Sequence, residues 1–278
     1  MRRGAKQLAG IGIACLATVM AMVLSPGYAS SVANGNDVEH GRYEFAVALT
    51  MKGITRPDGT KYDSACSAAL IAPRWIATAG NCFHDGAHHP VSGPPRYERT
   101  VATVGRNTLH GKGGHDTEVI WVQQAPNPDY DFAIAKLAEP IHDVRPLAIS
   151  RAKPKAGQAI RMTGWGAATA DVDGPEDRLE RLQTGRWSIT QVTKTTVLAQ
   201  GTSPERTTSA CPYDSGAPYF AKRDGGTLRL VAVESDGPAC PHGQEETLAR
   251  VDPLLGWITR TILAQGEENV TQQAAGSA

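Results

Sequence analysis

The chain has 278 residues, 41% of them hydrophobic and 20% charged, and its 28 basic side chains are matched by 28 acidic ones. Like-charge runs are short and aromatic residues are not interleaved with Lys or Arg, which excludes a phosphate-tracking surface, so no nucleic-acid partner is expected. The length admits either two domains or one large all-β unit.

Arg2, Arg3 and Lys6 precede an apolar run over residues 11–24, followed by small residues through Ser31, the three-part layout of a secretory signal peptide. The run is shorter than the ~20 residues of a spanning helix. Residues 1–31 are therefore expected to be removed on export, leaving a secreted, extracellular chain with no membrane segment and a net charge of −3. A monomer is expected.

Of five cysteines, Cys15 lies in the expected signal, leaving Cys66, Cys82, Cys211 and Cys240 in an oxidising compartment. An even set there reads as two disulfides, with three pairings open. The wide spacing, without a Cys-x-x-Cys pair, argues against a zinc site, and no metal or other cofactor is expected.

Short β-rich runs at residues 45–50, 68–72, 75–78, 119–122, 132–137, 160–163, 187–192, 228–233 and 247–251, separated by turn-forming clusters, predict a barrel or sandwich. A Pro-containing stretch over residues 143–155 separates two β-rich halves, and residues 171–180 read as an exposed loop. Near the end, Asp252 can cap a helix that Pro253 begins and whose apolar face carries Leu254, Leu255, Ile258 and Ile262, with Gly266 as its stop. Residues 266–278 read as a flexible tail.

Three motifs carry chemistry. They are Thr78-Ala79-Gly80-Asn81-Cys82, Asp129-Tyr130-Asp131-Phe132-Ala133-Ile134, and Cys211-Pro212-Tyr213-Asp214-Ser215-Gly216. With Val32-Ala33-Asn34-Gly35, Thr163-Gly164-Trp165-Gly166 and the closing helix, they resemble, in order, the chymotrypsin/trypsin family of serine proteases. The resemblance implies an all-β, chymotrypsin-like fold of two antiparallel six-stranded β-barrels with a C-terminal helix. The protease domain would span 32–265, with barrel one about 32–145, barrel two about 155–250 and the helix 252–265. It also implies Cys66–Cys82 and Cys211–Cys240 as the disulfides.

Carried over position by position, the resemblance makes Ser215 the nucleophile, Asp131 the orienting carboxylate and the N–H groups of Tyr213 and Ser215 the oxyanion hole. Asp214 would pair with the amine of Val32, freed by cleavage after Ser31; cleavage after Ala29 fits the small-residue rule equally well and would leave two extra residues, starting at Ser30. The specificity pocket would lie between residues 209–215 and 233–246, with Ser209 at its base and Ser235, Gly237 and Glu246 on its walls. Glu246 stands near a position where glycine is usual and would invite Arg or Lys if it points inward.

The chain departs from the family pattern at Asn81, which occupies the position of the general-base histidine. A carboxamide neither accepts a proton near neutral pH nor passes one on. Tyr213 replaces a usual glycine and Asp236 a usual tryptophan. The sequence thus implies a homologue acting on or binding a peptide or protein substrate or inhibitor, with hydrolysis lost or strongly reduced. His84, in the loop after Cys82, is the first alternative base.

Overall fold

The structure, a computed structural model, describes Met1 and residues 32–266. The expected signal segment and the tail beyond Gly266 lie outside the described residues. The strands are β1 (Asn36–Asp37), β2 (Ala46–Thr55), β3 (Lys61–Ala72), β4 (Trp75–Thr78), β5 (Arg99–Val104), β6 (His115–Gln124) and β7 (Ala133–Leu137). They continue with β8 (Ala148–Ile149), β9 (Ala159–Gly164), β10 (Gln183–Val192), β11 (Thr196–Ser203), β12 (Pro218–Lys222), β13 (Leu228–Asp236) and β14 (Glu245–Arg250), and the helix α1 is Leu255–Ala264.

Strands β2-β3-β4-β7-β6-β5 close into one antiparallel barrel. A second six-stranded antiparallel barrel runs β9-β10-β11-β14-β13-β12 and closes through the β12–β9 pairing. This is the chymotrypsin-like architecture that the sequence motifs imply. Strand β1 adds to β10, so residues 36–37 lie on the second barrel, whereas the sequence reading groups them with the first.

Period-two alternation explains why β2 is buried on both faces. Val47, Leu49 and Met51 fill the first barrel with Leu70, Ile76, Val104 and Leu137, while Ala46 and Ala48 face Val38, Trp165 and Leu182. Alanine on that outer face lets the neighbouring segment approach closely. Strand β12 escapes the sequence pattern because it opens on Pro218 after a Gly-containing turn, and a proline is tolerated at the first residue of a strand.

The chain end returns to the first barrel. Ile258 and Ile262 of α1 are buried in the same cluster as Phe132, and Trp257 meets the Phe132 ring edge-on at 6.2 Å. This contact anchors the residue next to Asp131. Part of the expected exposed loop at 171–180 is instead buried: Gly174 and Pro175 are covered, and Arg178 donates to the Leu49 carbonyl at 3.2 Å and the Thr50 hydroxyl at 2.9 Å. The disulfides are Cys66–Cys82 and Cys211–Cys240.

Where β14 hands over to the helix, Arg250 makes a bidentate pair with Asp252, 2.7 and 2.8 Å, and donates to the Thr193 carbonyl at 2.7 Å. Both side chains are only 9% exposed. Removing the carboxylate charge strands a buried guanidinium, which costs roughly 3 kcal/mol or more. Asp252→Asn is therefore expected to lower Tm by about 6–12 °C for a domain of this size, measured by thermal unfolding with circular dichroism.

Candidate active site

Strand β4 pairs with β7, with Thr78 opposite Ala133, so the turn after β4 and the segment before β7 emerge side by side. Asn81 sits in a single 3-10 turn over Gly80–Cys82 and Asp131 just precedes β7. The Asn81 backbone N–H donates to Asp131 Oδ1 at 2.6 Å, and the Ser235 hydroxyl donates to Asp131 Oδ2 at 2.7 Å. The Asn81 side chain turns to the second barrel, its Nδ2 donating to the Ser235 carbonyl at 3.0 Å. Burial pushes the Asp131 carboxyl above its usual range, opposed by these hydrogen bonds. Ser235, expected only as a pocket wall, also holds Asp131.

The Ser215 loop is fixed from the first barrel. Ser67 donates its N–H to the Ser215 carbonyl at 2.9 Å and its hydroxyl to the Tyr213 carbonyl at 3.3 Å, and accepts from the Trp165 N–H at 3.0 Å. Tyr213 has φ +75°, a left-handed conformation in which a side chain is strained. The N–H groups of Tyr213 and Ser215 donate to no protein group among the described residues. Ser215 and Asn81 line one cavity of about 280 Å³ with Ala210, Glu234, Gly237 and Glu246.

Asp214 is fully buried and accepts from Gly166 N–H at 2.8 Å and Cys211 N–H at 3.0 Å. Cβ atoms at 164 or 166 would collide with this carboxyl, which is why the Gly-Trp-Gly turn is glycine at both positions. Burial raises the Asp214 carboxyl well above its usual range. Val32 is fully buried in the second-barrel core beside Ala210 and Ala217, residues that flank this loop. Ser209 is buried, bridged to Ala33, and its hydroxyl accepts from His242 N–H at 3.2 Å.

Glu246 points inward. It is fully buried, its Oε1 accepts from Ala210 N–H at 2.8 Å, and its Oε2 has no hydrogen-bond partner. Burial pushes it up to about 8. Sequence reasoning missed two neighbours. Glu234 is 3% exposed, accepts from Tyr219 Oη at 2.7 Å and leaves Oε1 unpartnered; burial, then the nearby Glu246 carboxyl, raise it well above its usual range. His242 Nδ1 accepts from Gln244 N–H, which puts the proton on Nε2, 3.2 Å from Glu246 Oε1, and burial lowers its pKa. A glutamate closing the apolar run Leu230-Val231-Ala232-Val233 was the available signal for Glu234.

His84 is engaged in its own loop. Its Nδ1 faces the Asp85 carbonyl at 2.5 Å, and its ring lies 4.6 Å from His88 and 6.3 Å from Tyr97. Among the described residues no group of three or more His, Cys, Asp or Glu side chains is placed to hold a metal ion.

Two six-stranded antiparallel barrels, with Asn81 of one and Ser215 of the other lining one cavity and Asp131 hydrogen-bonded to Asn81, define the serine-protease-like class. The trypsin family model matches residues 32–258, and the chain belongs to that family. It is 26% identical over 254 residues to transmembrane protease serine 9 of Rattus norvegicus, covering 85% of this chain and 22% of that protein. It is 26% identical over 251 residues to transmembrane protease serine 5 of Homo sapiens, covering 84% of this chain and 52% of that protein. With human chymotrypsin-like elastase family member 3B the identity is 26% over 275 residues, 89% of this chain and 97% of that protein. The chain thus spans from about a fifth to a half of the transmembrane relatives. Among the described residues no helix is long and apolar enough to cross a membrane.

The buried Glu246 carboxyl is raised in the fold, so its protonated form is favoured: its contribution is full below the unfolded carboxyl range and is lost as pH rises through about 8. Glu246→Gln mimics the protonated form at every pH. Wild type and variant are expected to have similar stability near pH 4.5. The variant should gain relative to wild type between about pH 4.5 and 8, at up to ~1.4 kcal/mol per pH unit, and the difference should level off above about 8, as followed by urea unfolding at several pH values.

Proposed function

We propose that this chain is a secreted homologue of trypsin-like serine endopeptidases whose peptide-bond hydrolysis is lost or strongly reduced. One observation carries the reading: the residues hydrogen-bonded to Asp131 in the cleft beside Ser215 are Asn81 and Ser235, neither of them a base. Ser215 would attack the carbonyl carbon of a peptide bond, its proton passing to a base that later protonates the departing amine. The free N–H groups of Tyr213 and Ser215 would receive the oxyanion. Asn81 cannot take that proton, and loss of the base alone costs about 10⁶ in turnover in a serine hydrolase, leaving ~10³–10⁴ over water.

A second reading, binding of a peptide or inhibitor without turnover, is favoured by the open cleft that Ser215 and Asn81 share with the pocket walls. An active endopeptidase using His84 is less well supported, because that ring is held within its own loop.

Asn81→His is expected to raise peptide-amide hydrolysis at least ~10³-fold, since Asp131 is already held to orient an imidazole, and Ser215→Ala in that background should abolish the gain. Steady-state cleavage of short peptide amides measures both. Wild-type turnover near ~1 s⁻¹ would sink this reading, and a folded but inert Asn81→His variant would favour binding without turnover.

Export with cleavage after Ser31 would free the Val32 amine within the core that surrounds Asp214. The fully buried Asp214 carboxyl, without a cationic partner among the described residues, supports that pairing. Intact mass of the exported protein is expected to give Val32 as the first residue; a persistent start at Ser30 contradicts it.

A further inference from the structure

Away from the cleft, the outer face of the second barrel carries positive charge that the chain leaves uncompensated. Ile160, Met162 and Trp187 face the barrel interior, so the alternating side chains of Arg161 on β9 and Arg186 on β10 point outward. The two are direct cross-strand partners, an arrangement in which like charges repel. A third guanidinium joins them from the first barrel. Phe220 of β12 is the other cross-strand neighbour of Arg161, the Tyr43 ring meets Phe220 at 5.0 Å, and the Arg42 guanidinium lies 5.1 Å from the centre of the Tyr43 ring. Lys222, two residues beyond Phe220 on β12, is exposed on the same face.

Neither Arg161 nor Arg186 has a carboxylate partner among the described residues; Arg161 donates to the Thr184 hydroxyl at 3.2 Å, a neutral acceptor. Half-buried, Arg161 is also deprived of water. Burial above all pulls its guanidinium below the usual range, and the Arg186 and Arg42 charges pull it further, opposed by Tyr43. The carboxylate of Arg42 is Glu39, at 3.0 Å, in a pair 54% and 76% exposed that is worth little and readily exchanged. None of these residues lines the cavity beside Ser215.

The surface selects its partner by charge and shape. A desolvated guanidinium beside two others calls for anions, and its planar fork matches a carboxylate bidentately. An extended peptide with carboxylates on alternate residues presents them on one side about 7 Å apart, which suits guanidiniums flaring from neighbouring strands. Tyr43 supplies an aromatic surface for an apolar residue beside them. An extended polyanion is a poor fit, because the patch is short and Glu39 stands at its edge, so no continuous run of phosphate or sulfate contacts is available.

We propose that Arg161, Arg186 and Arg42 form a docking surface, separate from the cleft, for an acidic peptide segment of a partner protein. Carboxylates of that segment neutralise the repelling pair Arg161 and Arg186, and a further one takes Arg42 in exchange for Glu39.

The test uses the full exported chain and two capped peptides, Gly-Glu-Leu-Glu-Leu-Glu-Gly and its counterpart with glutamine for each glutamate, titrated by calorimetry and by NMR of the arginine side-chain N–H groups. The acidic peptide is expected to bind at least about tenfold more tightly at low salt, and this advantage should shrink as salt is raised, because exposed charges are screened. Arg186→Gln, at an exposed position, is expected to cut acidic-peptide affinity at least ~fivefold while raising Tm by about 1–3 °C, since it relieves the like-charge pair. Glu39→Gln should raise affinity about two- to threefold by freeing Arg42, a gain that no folding defect can produce. Equal affinity for the two peptides overturns the proposal without reference to any variant. Unchanged affinity together with a lower Tm in Arg186→Gln marks that residue as structural and overturns it as well. Tighter binding of a sulfated oligosaccharide than of the acidic peptide assigns the surface to polyanions and likewise overturns it. No turnover is involved, so these outcomes are independent of whether Asn81→His restores hydrolysis.

Discussion

Ser67 is the constraint on which the geometry of the cleft depends. It lies on β3 of the first barrel, next to Cys66, yet its backbone and hydroxyl bind the carbonyls of Ser215 and Tyr213 and receive the Trp165 N–H from the second barrel. Thr78 donates to the Ser67 carbonyl at 2.8 Å, and the Cys66–Cys82 disulfide ties the same strand to the turn bearing Asn81. Ser67 works with a shared apolar seam, in which Tyr43 and Phe45 pack edge-on against Phe220 of the second barrel, and with the Asn81 and Asp131 hydrogen bonds to Ser235.

A second feature is the concentration of buried carboxyls in the second barrel. Asp214, Glu234 and Glu246 are all withdrawn from water, and burial pushes each upward. Isolated charges in such surroundings are strongly disfavoured, so burial favours the protonated form of each. Asp214 accepts from the Gly166 and Cys211 N–H groups, whereas Glu234 and Glu246 each keep one buried oxygen without a hydrogen-bond partner among the described residues.

Asn81 stands where these two themes meet. Its backbone preserves the hydrogen bond to Asp131, while its side chain donates to the Ser235 carbonyl. The turn is therefore tied to Asp131 by its backbone rather than by the side chain at position 81. Chemistry and architecture are separable at this position. Tyr213 is the opposite case: its positive φ is imposed by the loop, and the side chain is accommodated there at a conformational cost.

The sequence alone determined the family, nine of the strands and the closing helix, but not β5 or β11. Local patterns sufficed because period-two alternation, cysteine spacing and glycine turns are written over a few residues. It did not expose β12, which begins with a proline, nor the burial of residues 174–175, because their covering comes from the distant strand β2. The inward orientation of Glu246, the unpartnered oxygen of Glu234 and the bracing by Ser67 were decided only in three dimensions. Each depends on which residues from separate strands face one another, and that is set by barrel closure and register rather than by any local signal.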